Sequence, residues 1–262
     1  DVYKRQGFVV STLVVQFALI ATPALLMAIM LTCNFRRTMA LNWPGWSALL
    51  AGPLLACVLH PAATAMRDGV QQLYPISPQA MQQLGQLAVM MEGVPVWQIV
   101  LLLAVVPAIC EELAFRGFIL SGLRHLGHRG MAIFISAVFF GVIHGILQQS
   151  INAFVLGLVL GYVCVQAGSI LPCILFHGVH NALQVISATV LTSGFLERNP
   201  GWRALLVEST QNPDAVSYRT PLIIGSILLS GLVLFWFRSL PVSQYAEEKL
   251  QNALDHQSAT AV

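Results

Sequence analysis

Residues 96–116 read VWQIVLLLAVVPAICEELAFR, a run without charge until Glu111, Glu112 and Arg116 at its end. Such a run is typical of a helix in a lipid bilayer, which needs about 20 mainly apolar residues. The rest of the chain has the same character, with 56% hydrophobic and 9% charged residues. Soluble domains carry about 25% charged residues. The composition therefore predicts an integral membrane protein.

Seven apolar runs are candidate spans, and they lack the alternation of a barrel strand. They are Gly7–Cys33, Trp43–Met66, Val96–Phe115, Met131–Gln148, Ala153–Gln166, Ile170–Leu191 and Leu222–Phe237. The predicted fold class is all-α, a polytopic transmembrane bundle of about seven helices. We divide the chain into residues 1–95 (N-terminal spans and an amphipathic connector), 96–195 (a helical core) and 196–262 (a loop, the last span and a polar tail). The tail is expected to be solvated and partly disordered.

The connector contains Ser77-Pro78, a sequence typical of a helix start. Apolar residues then recur at helical spacing as far as Met91. This pattern predicts an amphipathic helix, which either lies on the membrane or lids a cavity, or packs as an ordinary loop helix. The net charge of +2 is too small to indicate nucleic acid, so no nucleic-acid partner is expected.

Glu111, Glu112 and Arg116 are costly residues for a membrane helix, at roughly 2.5–3.5 kcal/mol per charge at the bilayer centre. Glu112 and Arg116 are four residues apart and can pair on one helical face. Glu111 points about 100° away. The arrangement leaves Glu111 free, and a desolvated free acid suits a general base. The alternative is an interfacial ion pair with a structural role only.

His144 lies in the sequence FFGVIHG (139–145), which carries no formal charge. Gly141 and Gly145 form a small-xxx-small pair, which predicts close approach of another helix. The alternative role for His144 is a hydrogen bond between helices. In an up-down bundle His144 would lie roughly 20 Å from the membrane side where its helix begins, while Glu111 and His177 would lie about 10 Å from that side. Tilt, or a shorter hairpin between Met131 and Gln166, is needed to bring them together.

His177 and Asn181 lie four residues apart in FHGVHN (176–181), so both project from one helical face. Two such hydrogen-bond donors could hold a developing oxyanion, or the histidine could bind a metal. The alternative is again hydrogen bonding between helices. That alternative would need a set of partners for each of three polar residues in a segment of five, His177, His180 and Asn181.

Glu111-Glu112-x-x-x-Arg116, Phe140-x-x-x-His144 and His177-x-x-x-Asn181 resemble, in this order, the three motifs of the CPBP family of intramembrane peptidases. That family includes the type II CAAX prenyl endopeptidases and bacteriocin-processing and immunity homologues. The resemblance covers roughly Val96 to Leu191. The run Gly141–Cys173 is also similar to a CPBP domain fused to ABC-type permeases, which agrees with a chain that begins at Asp1 as part of a longer product.

The resemblance implies peptide-bond hydrolysis in the membrane. It makes Glu111 the base that activates water with His144, gives His177 and Asn181 the oxyanion, and lets Glu112 and Arg116 order their helix. Metal-free catalysis is favoured. Zinc is the alternative, held by Glu111, His144 and His177, although the chain has no HExxH motif.

The expected partners are a membrane-embedded peptide or protein substrate and the lipid bilayer, with an ABC-transporter permease part as a further candidate. The expected location is the bacterial inner membrane. The competing function is a non-proteolytic transport or bacteriocin-tolerance protein, in which the same polar cluster relays ions or binds a partner.

Overall fold

The computed structural model describes residues 2–191, 193–208, 216–242 and 244–260. Within them the fold is a helical bundle with one short hairpin. The helices are α1 Tyr3–Leu31, α2 Phe35–Thr38, α3 Trp46–Leu73, α4 Pro78–Met91, α5 Val96–Arg124, α6 Arg129–Val142, α7 Leu147–Ala167, α8 Leu171–Thr189, α9 Ser193–Arg198, α10 Thr220–Arg238 and α11 Ala246–Thr260. A 3₁₀ turn, Pro200–Ala204, precedes the strands β1 Leu206–Glu208 and β2 Val216–Tyr218, which pair antiparallel.

Five helices, α1, α3, α5, α7 and α10, are long and apolar enough to cross a membrane. Helix α6 is apolar but shorter, and α8 has 19 residues. The chain is thus an integral membrane protein, and the predicted all-α fold class is confirmed. The five candidate spans among the described residues are roughly consistent with the predicted number of about seven.

Two sets of contacts define the two ends of the bundle. At the α4 end, Arg5 donates to the carbonyl oxygen of Met90, and Gln148 donates to that of Tyr74. At the α11 end, Asn42 donates to the carbonyl oxygen of Gly168, 3.2 Å away. Between these ends the core is formed mainly by α3, α7 and α8, with α5 and α10 packed against it.

The predicted span Met131–Gln148 is wrong in its boundary. Helix α6 ends at Val142 and α7 begins at Leu147, so His144 lies in the intervening turn. This is the shorter hairpin that the heights of the polar residues require. A Cβ on Gly141 would lie 2.8 Å from the carbonyl oxygen of Ser150, which confirms a close approach there. The prediction for Gly145 is wrong, because this residue forms the turn with φ +69°.

Helix α5 is not uniform along its length. Wider, π-helical turns cover Leu101–Val105 and Leu113–Ile119. The first precedes Pro107, which has no N–H to donate, and a π turn accommodates such a missing hydrogen bond. The second directly follows Glu112 and contains Arg116. The helix therefore changes its winding where the acidic pair is placed.

Helix α4 begins as predicted, with Pro78 in its first turn and the Ser77 hydroxyl accepting from the N–H of Ala80 at 3.2 Å. None of its residues is buried. The prediction for the polar tail is wrong in part, because Ala246–Thr260 forms α11 and Glu248 is only 2% exposed. Within α11, Glu248 pairs with a buried residue, Arg124 of α5, at 2.7 Å.

Candidate active site

Glu112 and Arg116 form the predicted ion pair, and both side chains are fully buried. Arg116 Nη1 lies 2.9 Å from Glu112 Oε1. The same carboxylate oxygen lies 2.9 Å from Nδ1 of His177, on α8. A buried carboxylate needs partners of this kind, because an unpaired charge is strongly destabilising in the interior. The ion pair therefore also fixes the ring of His177.

Glu111 has a partner that the sequence analysis did not identify. Its Oε1 accepts a hydrogen bond of 2.9 Å from Nε2 of Gln16, on α1. Its Oε2 is buried without a hydrogen bond and lies 3.9 Å from Nε2 of His177. The signal for Gln16 was available, since it is an amide in the middle of the uncharged run Gly7–Cys33. Glu111 is thus not free as predicted: its Oε1 accepts a hydrogen bond, and its buried Oε2 has no hydrogen-bond partner.

His177 stands between the two carboxylates. Its Nδ1 faces Glu112 and its Nε2 faces Glu111. A carboxylate can only accept, so Nδ1 carries the hydrogen in the contact with an ionised Glu112. The opposite nitrogen, Nε2, is then directed at the unpaired oxygen of Glu111.

His144 is oriented by the backbone of its own hairpin. Its Nδ1 lies 2.8 Å from the carbonyl oxygen of Phe140, which can only accept, so Nδ1 donates. In the neutral ring the lone pair then lies on Nε2. The Phe140 ring contacts both histidines edge-on, at 5.1 Å from His144 and 5.7 Å from His177 between ring centroids.

Phe140 also receives the guanidinium of Arg116, whose Cζ lies 4.2 Å from the ring centroid. This is cation–π geometry. Arg116 makes a long contact of 3.4 Å from Nη2 to the carbonyl oxygen of Gly157, while its Nε has no partner. Phe140 is therefore the common neighbour of the arginine and both histidines, a role that its place in the motif did not reveal.

Two cavities reach this cluster from different sides. An apolar cavity of 520 Å³ between α1 and α5 is lined by Gln16, Glu111 and His144 among apolar side chains. A polar cavity of 420 Å³ is lined by His144, His177 and Asn181, together with Arg67, His180 and Gln184. The structure thus brings His177 and Asn181 to one cavity, as the helical spacing predicts, and Glu111 to the other. His144 lines both cavities.

A metal site is not assembled at this cluster. Among the residues that the structure describes, no three His, Cys, Asp or Glu side chains are arranged to hold a metal ion. The alternative ligand set of Glu111, His144 and His177 therefore does not fit a metal in this arrangement, and the mechanism below uses none.

The fold and these residues define a multi-pass membrane protein in which a pair of buried acids lies beside one buried imidazole, His177, and one partly buried imidazole, His144. Residues 93–183 match the family described as type II CAAX prenyl endopeptidase Rce1-like, and this segment is an Rce1-like domain. The match confirms the resemblance to the CAAX endopeptidases and places the domain in a family of membrane proteases. It contains all six predicted site residues. No curated protein and no solved structure matches the chain significantly.

Proposed function

We propose that this protein is an intramembrane endopeptidase in which Glu111 and His144 activate water. The observation that carries the proposal is the unpaired Oε2 of Glu111, which is buried 3.9 Å from Nε2 of His177. Glu111 and His144 line the same cavity. A buried carboxylate oxygen without a hydrogen bond destabilises the folded protein. Such an oxygen is expected where it accepts a proton during the reaction.

In the proposed reaction the water oxygen attacks the scissile carbonyl carbon while its proton passes to Glu111. The lone pair on Nε2 of His144 orients the water. The C–N bond then breaks, and Glu111 returns the proton to the leaving amine nitrogen. Atoms and charge balance with water as the only co-reactant. A positioned base of this kind contributes about 10²- to 10⁴-fold to the rate.

His177 and Asn181 are the proposed donors to the tetrahedral oxyanion, because both line the polar cavity. In this role Nε2 of His177 donates a hydrogen to the substrate oxygen, while Nδ1 donates to Glu112. Glu112 and Arg116 are positioning residues in this scheme, since they hold the imidazole and do not touch the substrate.

The proposed substrate is a membrane-associated peptide with an apolar segment. The cavity between α1 and α5 supports this, since Leu19, Met27 and Phe118 are among its largely apolar lining. The matching family is named for prenylated CAAX substrates, and the apolar lining of this cavity accommodates an apolar group of that kind. The proposed location is the bacterial inner membrane.

Glu111→Gln tests the proposal, with Glu92→Gln as a matched control because Glu92 is an exposed glutamate beyond the end of α4. Membrane peptides from cells with either variant are compared with the wild type by mass spectrometry. We expect cleavage products to disappear only with Glu111→Gln, while the thermal unfolding midpoint of the purified protein stays near that of the wild type. Unchanged products with Glu111→Gln would refute the role of this carboxylate.

A second function has its own supporting observation. His180, His60 and Ser187 form a series of polar side chains that continues from the polar cavity towards the α4 end. The ring centroids of His180 and His60 lie 5.4 Å apart, and His60 contacts the hydroxyl of Ser187 at 3.4 Å. Histidines and acids in series also form proton relays in membranes. Proton uptake into vesicles containing the protein distinguishes the functions: a relay predicts flux that Glu111→Gln removes, and a peptidase predicts none.

A further inference from the structure

A second polar cavity lies at the α11 end, outside the proposed peptidase site. It has a volume of 340 Å³ and lies between α2 and the second half of α5. Four arginines line it, and we call it the arginine cavity. Its lining includes Arg36, Arg37, Arg116, Arg124, Asn42 and Ser121.

The arginine cavity carries more positive than negative charge. Glu112 pairs with Arg116, and Glu248 pairs with Arg124. In the described ranges no carboxylate lies within 4 Å of the guanidinium groups of Arg36 or Arg37. Arg36 and Arg37 are therefore left without an ion pair within 4 Å, although Arg37 interacts at longer range with Glu247 and lies 5.8 Å from the ring of Tyr245. A cavity with an excess of positive charge attracts an anion.

One arginine of the lining has an unused donor. Arg116 is fully buried, and its Nε has no hydrogen-bond partner. Arg36 uses its Nε on the carbonyl oxygen of Leu41, which leaves both of its Nη groups for a ligand. Guanidinium groups match the oxygens of a phosphate by paired hydrogen bonds.

Exposed tryptophans indicate the depth of the cavity in the membrane. Trp43 directly follows the cavity residue Asn42 and Trp46 lies three residues further on, and they are 54% and 70% exposed. Their rings pack edge-on at 4.9 Å. Exposed indoles are enriched at the level of the lipid headgroups. The arginine cavity thus opens where phosphate groups of phospholipids are concentrated.

We propose that the arginine cavity binds a phosphate group, supplied by the headgroup of an anionic phospholipid. Arg36 and Arg37 supply the unpaired charge and Arg116 the buried donor. Because Arg116 also holds Glu112, an occupied cavity would fix the ion pair that orients His177. Binding itself does not depend on peptidase activity, so this proposal and the proposed function can fail separately.

The test measures binding of phosphatidylglycerol by the purified full chain in phosphatidylcholine nanodiscs. The variant Arg36→Gln/Arg37→Gln removes the unpaired charges. The control Arg129→Gln/Arg238→Gln removes two exposed arginines at the same end that do not line the cavity. We expect affinity to fall about tenfold or more in the first variant only, because the charge-assisted hydrogen bonds from Arg36 and Arg37 to the phosphate are lost.

Inorganic phosphate, added to protein in a neutral detergent, separates the two sources of the ligand. Phosphate protection against thermal unfolding, lost in Arg36→Gln/Arg37→Gln, would support the site and assign it to free phosphate if phosphatidylglycerol has no effect. Equal losses in the two double variants would overturn the proposal, because general surface charge would explain them. If neither phosphatidylglycerol nor inorganic phosphate binds, the proposal is also overturned.

Discussion

Helix α5 carries two buried arginine–glutamate pairs that are built in different ways. Arg116 pairs with Glu112, four residues away on the same helix, and Arg124 pairs with Glu248, 124 residues away on α11. In both pairs the guanidinium lies over an aromatic ring, at 4.2 Å from Phe140 and 4.1 Å from Tyr245. The local chemistry of the two arginines is therefore nearly the same.

The third partner of each pair separates their roles. Glu112 accepts from His177 and so extends the first pair into the polar centre. Glu248 accepts from the backbone N–H of Tyr245 at 3.0 Å, so the second pair holds the start of α11 against α5. The comparison shows that the role of a buried ion pair depends on which group it orients, here an imidazole in one pair and a helix start in the other. The following predictions test this difference.

Arg116→Met should have the largest effect on stability. It leaves Glu112 buried without its cation, and breaking such a pair costs about 3–5 kcal/mol. Thermal or denaturant unfolding of the purified protein measures the loss. The double variant Glu112→Gln/Arg116→Met removes both charges and should recover most of it. If the single and double variants unfold alike, the pair does not act as a unit.

Glu248→Gln should have a smaller and more local effect. The carboxylate loses its charge-assisted bonds to Arg124, each contributing about 1.5–3 kcal/mol, but α11 can move into water while the bundle stays folded. Faster hydrogen exchange of residues 246–254, with little change elsewhere, is the expected result. Glu247→Gln is the matched control, because Glu247 lies exposed beside it and contacts the exposed His125. Equal exchange in the two variants would show that the buried pair does not hold α11.

The pH dependence of α11 should show the smallest effect. Burial by itself raises the pKa of Glu248, but the hydrogen bonds from Arg124 and from the N–H of Tyr245 outweigh it and hold the pKa below its ordinary value. A lowered folded pKa means that this stabilisation is complete above the ordinary value and is lost as the pH falls through the folded pKa. The protection of the α11 amides, relative to their intrinsic exchange rate at each pH, should therefore fall in acid, and Glu248→Gln should abolish that dependence. A pH dependence that survives in Glu248→Gln would assign it to another group.

The sequence predicted the helical membrane fold well, because long apolar runs have few alternatives in lipid. It failed at the α6–α7 boundary, since an apolar turn such as 143–146 does not interrupt the pattern that defines a span. It placed the six site residues in the segment that matches the peptidase family, while their catalytic roles stay predictions. It did not identify the contact of Gln16 with Glu111, or Phe140 as the common neighbour of Arg116 and both histidines. Neither spacing nor composition identifies a contact between distant helices.

The sequence by itself determined the contacts that helical geometry repeats: the Glu112–Arg116 pair, the common cavity of His177 and Asn181, and the start of α4 at Ser77. These depend on neighbours within one turn, where the helix fixes the distance. Only the tertiary structure decided that Glu111 meets Gln16, that Glu112 meets His177 and that Arg124 meets Glu248, across 95, 65 and 124 residues. Such partners are selected by the packing of whole helices, since the spacing along the chain does not limit which side chains meet across it.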